Sequence, residues 1–244
     1  MKKTFLLGLC ILISSSLFAQ EKFVTVDYTS DVTYGIKAGI TFPRISGINN
    51  GLQSLPNLSS TDDQALTSFY VGAVVNIPLN TATSGHVLLQ SGLSFVGKGG
   101  QSVVTNSNAS LGDVTIKRTI SYIELPINLL VSLKAGTGRV LIGAGPYLGL
   151  AFSGQKQISS SGAVAQQLIA AGLPSNGTTS LQIGSGGDIN TIDFGIGLSL
   201  GYQLHNGLSI NIGSDIGLTN IDSKANSGII TTNQLVSVGL GYSF

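Results

Sequence analysis

An alternation of large apolar residues with small polar ones, repeated along eight segments, constrains the fold of this chain more than any other feature. In the clearest segment, 192–204, every second residue is Ile, Phe, Leu or Tyr, and the residues between are mostly Gly or Ser. Successive side chains of a β-strand point to opposite faces of its sheet, so this period predicts strands with one apolar face. The eight predicted strands are 34–42, 69–79, 86–96, 119–133, 139–152, 192–204, 208–219 and 235–244.

The connections between these segments alternate in length. From the N-terminus they are 26, 6, 22, 5, 39, 3 and 15 residues long. The short connections 134–138 and 205–207 contain the Gly and Asn residues of tight turns, whereas the long ones are rich in Ser, Asn, Gly and Thr. Short turns at one end and long loops at the other are typical of up-and-down outer-membrane barrels, in which an even strand number leaves both termini in the periplasm.

The polar face distinguishes a membrane barrel from a lipocalin-like barrel or a β-sandwich, which show the same alternation. Soluble proteins have about 25% charged residues, but only 9% of this chain is charged. Its polar strand face is mostly Gly, Ser, Asn and Thr, which suit the narrow interior of an eight-stranded barrel. The sequence therefore predicts an all-β fold, an eight-stranded antiparallel up-and-down transmembrane β-barrel whose apolar face meets lipid.

Composition also argues against other classes. A formal net charge of +1 provides no basic surface for nucleic acid. Repeated apolar runs of about 20 residues, which membrane helices need, are missing from the sequence. Outward-facing aromatic residues fall at the predicted strand ends, as in the interfacial girdles of outer-membrane barrels. Those beside the long loops are Phe42, Phe69, Phe95, Phe152 and Phe194, and those at the short-turn end are Tyr34, Tyr202, Tyr242 and Phe244.

The N-terminus has the layout of a secretory signal peptide. Lys2 and Lys3 precede an apolar run over 5–13, and small residues lead to a cleavage site after Ala19. We therefore expect 1–19 to be a signal peptide, 20–33 a periplasmic segment and 34–244 the barrel. Cys10 offers the alternative of a lipoprotein, although Leu9 is bulkier than the residue that lipidation favours. Cleavage after Ala19 would leave a mature chain without cysteine.

The chain ends on alternating apolar residues, Leu240, Tyr242 and Phe244. This ending resembles the C-terminal signal by which the barrel-assembly machinery recognises outer-membrane proteins. We expect that machinery to be the partner of the chain during biogenesis.

Several segments resemble the PorT-like outer-membrane β-barrel family of Bacteroidota. The most specific is Tyr-Ile-Glu-Leu-Pro-Ile at 122–127, and the others are 34–40, 143–147, 193–197 and 239–244. The resemblance covers essentially the whole mature chain and implies a small barrel like OmpA or OmpX in the outer membrane. Because one namesake is tied to secretion and gliding machinery, it also suggests such a role, but fold similarity does not establish function.

Five charged residues fall on the inward faces of the predicted strands. They are Lys37, Glu124, Arg139, Asp193 and Asp215. One interpretation is an ion or proton path, or a cation site. The other is an ion network that makes a narrow barrel rigid, because buried charges need partners. On the second interpretation, Glu124 would pair with Arg139 or Lys37.

Four basic residues fall where predicted strands meet the long loops. They are Arg44, Lys98, Lys117 and Arg118. Charge-assisted hydrogen bonds from such residues could bind the phosphates of lipopolysaccharide. They could equally be solvated charges at the rim of the barrel.

Neither catalysis nor a cofactor is expected. The two histidines, His86 and His205, fall near short turns, and no serine and acid accompany them in a pattern typical of barrel hydrolases. Two histidines are also too few to indicate a metal site. In the longest loop, Val164, Leu168 and Ile169 have helical spacing, which predicts a short helix over 162–172 that caps the barrel mouth or binds a partner.

These patterns predict a monomeric, non-enzymatic barrel in the cell outer membrane, with a structural role or an interaction role through its surface loops. A small channel or a component of secretion or gliding machinery is the first alternative. An enzyme that modifies envelope lipids is the second. Eight strands leave no open aqueous lumen, which argues against a wide pore.

Overall fold

The structure, a computed structural model, describes residues 32–46, 58–79, 85–106, 112–170, 174–223 and 230–244. The predicted signal peptide with Cys10 lies outside the described residues, as does nearly all of the predicted segment 20–33. Both therefore remain predictions.

Eight strands form a closed antiparallel ring, which confirms the predicted fold class. Each ring strand pairs with the next along the chain, and the last pairs with the first, as at Ala38↔Leu240. All the strands below except β2 and β7 belong to the ring. The described strands are β1 (Thr33–Ser46), β2 (Leu58–Gln64), β3 (Ser68–Pro78), β4 (Gly85–Asn106), β5 (Val114–Ala135), β6 (Gly138–Ser160), β7 (Asn176–Ser180), β8 (Ile192–Leu204), β9 (Leu208–Gly217) and β10 (Thr232–Ser243).

Three neighbouring strands are much longer than predicted. β4, β5 and β6 have 22, 22 and 23 residues. Most of the predicted loop 97–118 is therefore a continuation of the β4–β5 hairpin, which is paired from Gly97↔Ser121 to Val104↔Val114. The first residues of the predicted loop 153–191 likewise continue β6. These parts were missed because polar side chains replace apolar ones where the strands leave the lipid.

Further elements widen this protruding hairpin. β2 pairs with the end of β4, and β7 pairs with the end of β6. A helix, α1 (Gly162–Ala170), confirms the helix predicted in this loop. Val164 and Leu168 of α1 are buried against Val114 and Ile116 of β5, so the helix packs on the hairpin. We call these parts together (97–106, 114–121 and 153–160 with β2, β7 and α1) the long-loop extension.

The outward faces of the ring strands are apolar and exposed. Leu200 on β8 and Ile210 on β9, for example, are 51% and 54% exposed. A monomeric soluble protein rarely exposes contiguous apolar patches of more than a few hundred Å², and here such residues continue around the ring. Lipid is the solvent of this surface. Within the described residues, no helix combines the length and apolarity needed to cross a membrane.

Aromatic side chains lie at both ends of this apolar surface. At the long-loop end, the ring of Phe95 lies 5.2 Å from that of Phe69 and 6.0 Å from that of Phe152. At the short-turn end, the rings of Tyr242 and Phe244 lie 5.0 Å apart, centroid to centroid. The C-terminal residues that were expected to signal assembly thus lie on the ring: Leu240 and Phe244 are exposed outward, and Tyr242 is half-buried.

Candidate functional site

The lumen is built around one buried lysine, Lys98 on β4. Its side chain makes ion pairs with Glu124 on β5 and with Asp193 on β8, where the nitrogen to oxygen distance is 3.1 Å. Lys98, Glu124 and Asp193 are 1%, 5% and 0% exposed. Buried charges are tolerated only when paired and hydrogen-bonded, and these three residues pair with one another.

Two tyrosine rings and an asparagine complete this group, which we call the Lys98 cluster. The Lys98 ammonium lies 4.1 Å from the ring centroid of Tyr147 and 5.3 Å from that of Tyr122, within cation–π range. The amide nitrogen of Asn233 donates to Asp193 at 2.9 Å and to the Tyr122 hydroxyl at 3.2 Å. The residues of the cluster come from β4, β5, β6, β8 and β10. Their contacts therefore join opposite sides of the ring.

A glycine next to Lys98 lets the backbone of β4 lie close to β5. Gly99 has φ +151°, and a Cβ there would lie 2.2 Å from the carbonyl oxygen of Arg118. L-residues with a side chain rarely adopt this φ. Lys98 itself is paired with Ile120 of β5, and its side chain reaches Tyr122 and Glu124, two and four residues further along that strand.

The cluster corrects two predictions. Glu124 pairs with Lys98, so the expected pairing of Glu124 with Arg139 or Lys37 is wrong. Arg139 lies ten positions along β6 from Gly149, the residue opposite Glu124 (149 − 139), or about 33 Å along the strand. At that end its guanidinium donates to the Ser132 hydroxyl at 3.4 Å.

The prediction that Lys98 contacts lipopolysaccharide is also wrong, because its side chain is buried inside the lumen. Arg118 also turns inward: its guanidinium lies 3.6 Å from the Asp222 carboxylate. Burial, together with the charge of Arg118 opposite, lowers the pKa of Lys156. Arg44 is exposed and Lys117 half-buried; a lipopolysaccharide contact at these two remains a prediction.

Lys37 on β1 begins a chain of polar side chains toward the short-turn end. Its ammonium donates to Gln90 at 2.8 Å, and the Gln90 amide donates to Asn76 at 2.6 Å. Asn76 in turn donates to the Thr33 hydroxyl at 3.2 Å. This half of the lumen also holds apolar side chains, among them Val74 and the buried pair Leu88 and Leu130.

A cavity of about 130 Å³ separates Lys37 from the Lys98 cluster. Glu124 and Tyr147 line it on the side of the cluster, and Lys37 and Tyr70 also line it. Asp215 on β9 lies in its wall. The structure thus brings three of the five predicted lumen charges, Lys37, Glu124 and Asp215, to the wall of one cavity. Asp193 lies behind that wall in the Lys98 cluster, and Arg139 lies apart.

An apolar cluster closes the lumen above Lys98, at the long-loop end. Ile189 and Ile221, from the β7–β8 and β9–β10 connections, are fully buried against Ile45, Ile120, Tyr122 and Ala151. Backbone hydrogen bonds tie the two connections together, including Asn190 N–H to the Ile221 carbonyl at 2.8 Å. We call this group the apolar plug. It separates the Lys98 cluster from the outside.

Sequence reasoning missed Lys98, Tyr147 and Asn233 as lumen residues. Counting by twos from Gln90 and Ser94, which were predicted to face inward, reaches Lys98, and counting from Gly143 and Gly145 reaches Tyr147. The same count from Ser237 and Gly239 reaches Asn233. The period therefore carried the signal. Lys98 and Asn233 were missed because β4 and β10 were predicted too short, whereas Tyr147 lay inside the predicted strand 139–152 but was not assigned to a face.

Neither histidine lies near the Lys98 cluster. His86 is buried near the start of β4, and His205 is exposed in the β8–β9 turn, both at the short-turn end. Among the described residues, no three His, Cys, Asp or Glu side chains are arranged to hold a metal ion.

Comparison with known proteins gives the family. Residues 18–223, more than half of the chain, match a family model described as outer membrane protein beta-barrel domain. No curated protein matches the chain.

Solved structures that match the chain include Ail of Yersinia pestis, at 12% identity over 88% of this chain and 99% of that chain, with TM-score 0.38. Neisserial surface protein A matches at 9% identity over 88% of this chain and 100% of that one, with TM-score 0.37. OprG of Pseudomonas aeruginosa matches at 12% identity over 88% of this chain and 97% of that chain, with TM-score 0.37. The family model alone carries the assignment: the chain belongs to the outer membrane protein beta-barrel domain family and is a protein of the cell outer membrane.

Proposed function

We propose that this protein is a non-enzymatic barrel that acts at the cell surface through its long-loop extension. The observation that carries the proposal is the length of β4, β5 and β6. β4 alone continues eleven residues beyond the outward-facing Phe95 (106 − 95), or about 36 Å along the strand. Strands that only span the membrane need about 9–11 residues, so half of β4 serves another purpose.

The closed lumen supports the same proposal. The Lys98 cluster crosses the ring, and the apolar plug lies above it. A solute would have to break two buried ion pairs and separate a packed apolar cluster to pass. The rigid barrel then serves to hold the extension at the surface, or to reinforce the membrane.

Complementation of a deletion strain with a shortened variant tests this role. In the variant, 102–116 are replaced by a two-residue Asn-Gly turn, which keeps Lys98 and closes the hairpin at the paired Gln101 and Lys117. The matched control exchanges Lys134, exposed at the short-turn end, for Gln. A mobility difference between unboiled and boiled protein confirms folding. We expect the folded short variant to lose the surface phenotype, such as adhesion or detergent resistance, and the control to keep it. Full complementation by the short variant would contradict a role of the extension.

Lipopolysaccharide is the proposed surface ligand for Arg44 and Lys117. Arg44 lies two residues beyond Phe42 on the outward side of β1, at the long-loop end of the apolar surface. Lys117 lies on β5 in the extension, six residues from the outward-facing Ile123 (123 − 117). Arg44→Glu with Lys117→Glu should reduce lipopolysaccharide co-purification. Lys134→Glu is the control at the opposite end, and equal co-purification from all three proteins would overturn this assignment.

A small channel, or a transport component of PorT type in a secretion or gliding system of Bacteroidota, is the second candidate. The cavity of about 130 Å³ and the polar chain from Lys37 to Thr33 favour it. Conductance in planar bilayers separates it from the first proposal.

Three further parts of the proposal concern biogenesis and oligomeric state. They are cleavage after Ala19, recognition of Phe244 by the assembly machinery and a monomeric state. Mass spectrometry of the purified protein tests the cleavage site. Assembly of a variant without Phe244 tests the recognition signal, and light scattering tests the monomeric state.

An envelope-lipid enzyme is the least supported class. Both histidines lie at the short-turn end, whereas a hydrolase acting on surface lipid needs its base near the outer rim. Lipid A from cells that express the protein should therefore be unchanged, and a new lipid A species in mass spectra would contradict the proposal.

A further inference from the structure

Asp215 differs from the other lumen carboxylates in having no direct partner. Within the described part of the chain, its carboxylate makes no hydrogen bond or ion pair. It faces Gly197 across the β8–β9 pairing, where a Cβ would lie 2.9 Å from Asp215 Oδ1. The missing side chain at Gly197 leaves room for the carboxylate at the wall of the cavity.

The charges of the cavity wall and of the Lys98 cluster behind it do not balance. Lys37 and Lys98 supply two positive charges, and Glu124, Asp193 and Asp215 supply three negative ones (2 − 3 = −1). Lys98 is already shared by Glu124 and Asp193, and Lys37 donates to Gln90. One negative charge, that of Asp215, is left without a cation, which is costly in a protein interior.

The cavity itself has the chemistry of a site for a hard cation. Its volume of about 130 Å³ exceeds by far the roughly 10–15 Å³ that one water needs. Oxygen-bearing side chains surround it, and oxygen is the ligand atom that hard cations prefer. Besides Asp215, these side chains include Tyr70, Ser94, Asn128, Ser199, Asn211 and Ser237.

We propose that this cavity binds one small monovalent cation, an alkali-metal or ammonium-type ion, against the Asp215 carboxylate. A single excess negative charge calls for a single positive one. Because the apolar plug closes the outer end, the ion enters from the periplasmic side, along the polar side chains between Thr33 and Lys37. This site is independent of the proposed role of the extension, so either can fail without the other.

The experiment uses the folded full-length protein, transferred in detergent into choline chloride buffer free of alkali metal. Sodium is titrated while the ²³Na NMR linewidth is followed, and potassium is then added as competitor. In parallel, the thermal midpoint of the mobility shift is measured in sodium, potassium and choline chloride at equal ionic strength. Asp215→Asn is the test variant, and Asp62→Asn, at an exposed acid of the extension, is the matched control.

For the parent protein and for Asp62→Asn, we expect the ²³Na line to broaden in a saturable way and potassium to reverse the broadening. We also expect a higher thermal midpoint in sodium or potassium chloride than in choline chloride. Asp215→Asn should weaken sodium binding at least about tenfold, as expected when a charged partner is lost. Should Asp215→Asn fail to fold, the response of the parent protein decides: ion-specific, saturable stabilisation supports the site.

Equal behaviour of the parent protein in all three salts would overturn the proposal. So would a midpoint that depends on pH alone, because a proton on Asp215 would then balance the charge. The titratable groups that face Asp215 are Tyr70, Lys98, Glu124 and Asp193. Equal weakening by Asp62→Asn would place the binding on the surface and would overturn it too.

Discussion

At the residue scale, Lys98 holds two carboxylates in place at once. Its ammonium lies against Glu124 and Asp193, and the Tyr122 and Tyr147 rings cover it. Removing the lysine would leave two buried carboxylates without a cation. Removing one carboxylate would leave the other still paired. The cluster is therefore more sensitive to loss of Lys98 than to loss of Glu124.

Lys98→Met should destabilise the folded barrel by about 3–5 kcal/mol, the usual cost of breaking a buried ion pair from one side. Glu124→Gln should cost less, and the double variant should cost less than the sum. Urea unfolding in lipid vesicles measures these free energies. As a control, Glu124→Gln combined with Arg139→Met should be additive, since these residues lie far apart. Additivity in the Lys98 pair would contradict the cluster.

Gly99 gives a second prediction at this scale. Gly99→Ala should destabilise the protein by more than Gly177→Ala, although both glycines have a positive φ, +151° and +144°. The reason is that a Cβ at Gly99 would meet the Arg118 carbonyl at 2.2 Å, whereas a Cβ at Gly177 has nothing within 4 Å. The same urea unfolding compares the two, and equal losses would mean that the close approach at Gly99 has no energetic weight.

At the element scale, the long-loop extension has a small core of its own. α1 buries Val164 and Leu168 against Val114, Ile116 and the half-buried Ile158, while Ile169 on the same helix is 63% exposed. These contacts hold the helix on the β4–β5–β6 sheet. The extension is thus a folded part of the protein, built on strands that the barrel makes rigid.

Leu168→Asp should release α1 and make the segment around 162–170 susceptible to protease on intact cells. Burying a charge without a partner is strongly unfavourable, so the helix would leave the sheet. Ile169→Asp, one residue further along, should leave cleavage at the parental rate because Ile169 is already exposed. Equal protection of both variants would show that the packing of Leu168 does not hold the helix.

The sequence allowed the ring strands and α1 to be predicted because both have a local period. The apolar plug has none: Ile189 and Ile221 come from two connections and meet Ile45 and Ile120 only in the closed ring. Ends of strands were hard to predict for a related reason. Beyond Val96, β4 is no longer surrounded by lipid, so the large apolar side chains that mark its outward face stop while the strand continues.

At the scale of the whole molecule, the barrel is polar inside and apolar outside. The outward side chains of β8 between Phe194 and Tyr202 include Ile196, Leu198 and Leu200, all about half exposed. Small and polar residues, with the Lys98 cluster, fill the interior. The arrangement explains a chain with only 9% charged residues, since neither lipid nor a narrow lumen accepts many charges.

Depth in the membrane should set the cost of a charge on the outward face. Leu198→Arg, midway along β8, should destabilise the protein by about 2–4 kcal/mol, whereas Leu204→Arg at the strand end should cost about 0–1 kcal/mol. Urea unfolding in vesicles measures both. Equal costs at the two positions would contradict a lipid-facing surface with its centre near Leu198.

The central claim is that the Lys98 cluster and the apolar plug close the lumen. Single-channel recording of the purified, folded protein in planar bilayers tests it most directly, with an established porin as a positive control. The structure predicts no stable open state at physiological salt. Long-lived openings of uniform conductance, seen in the parent protein and altered by Lys98→Met, would contradict the claim.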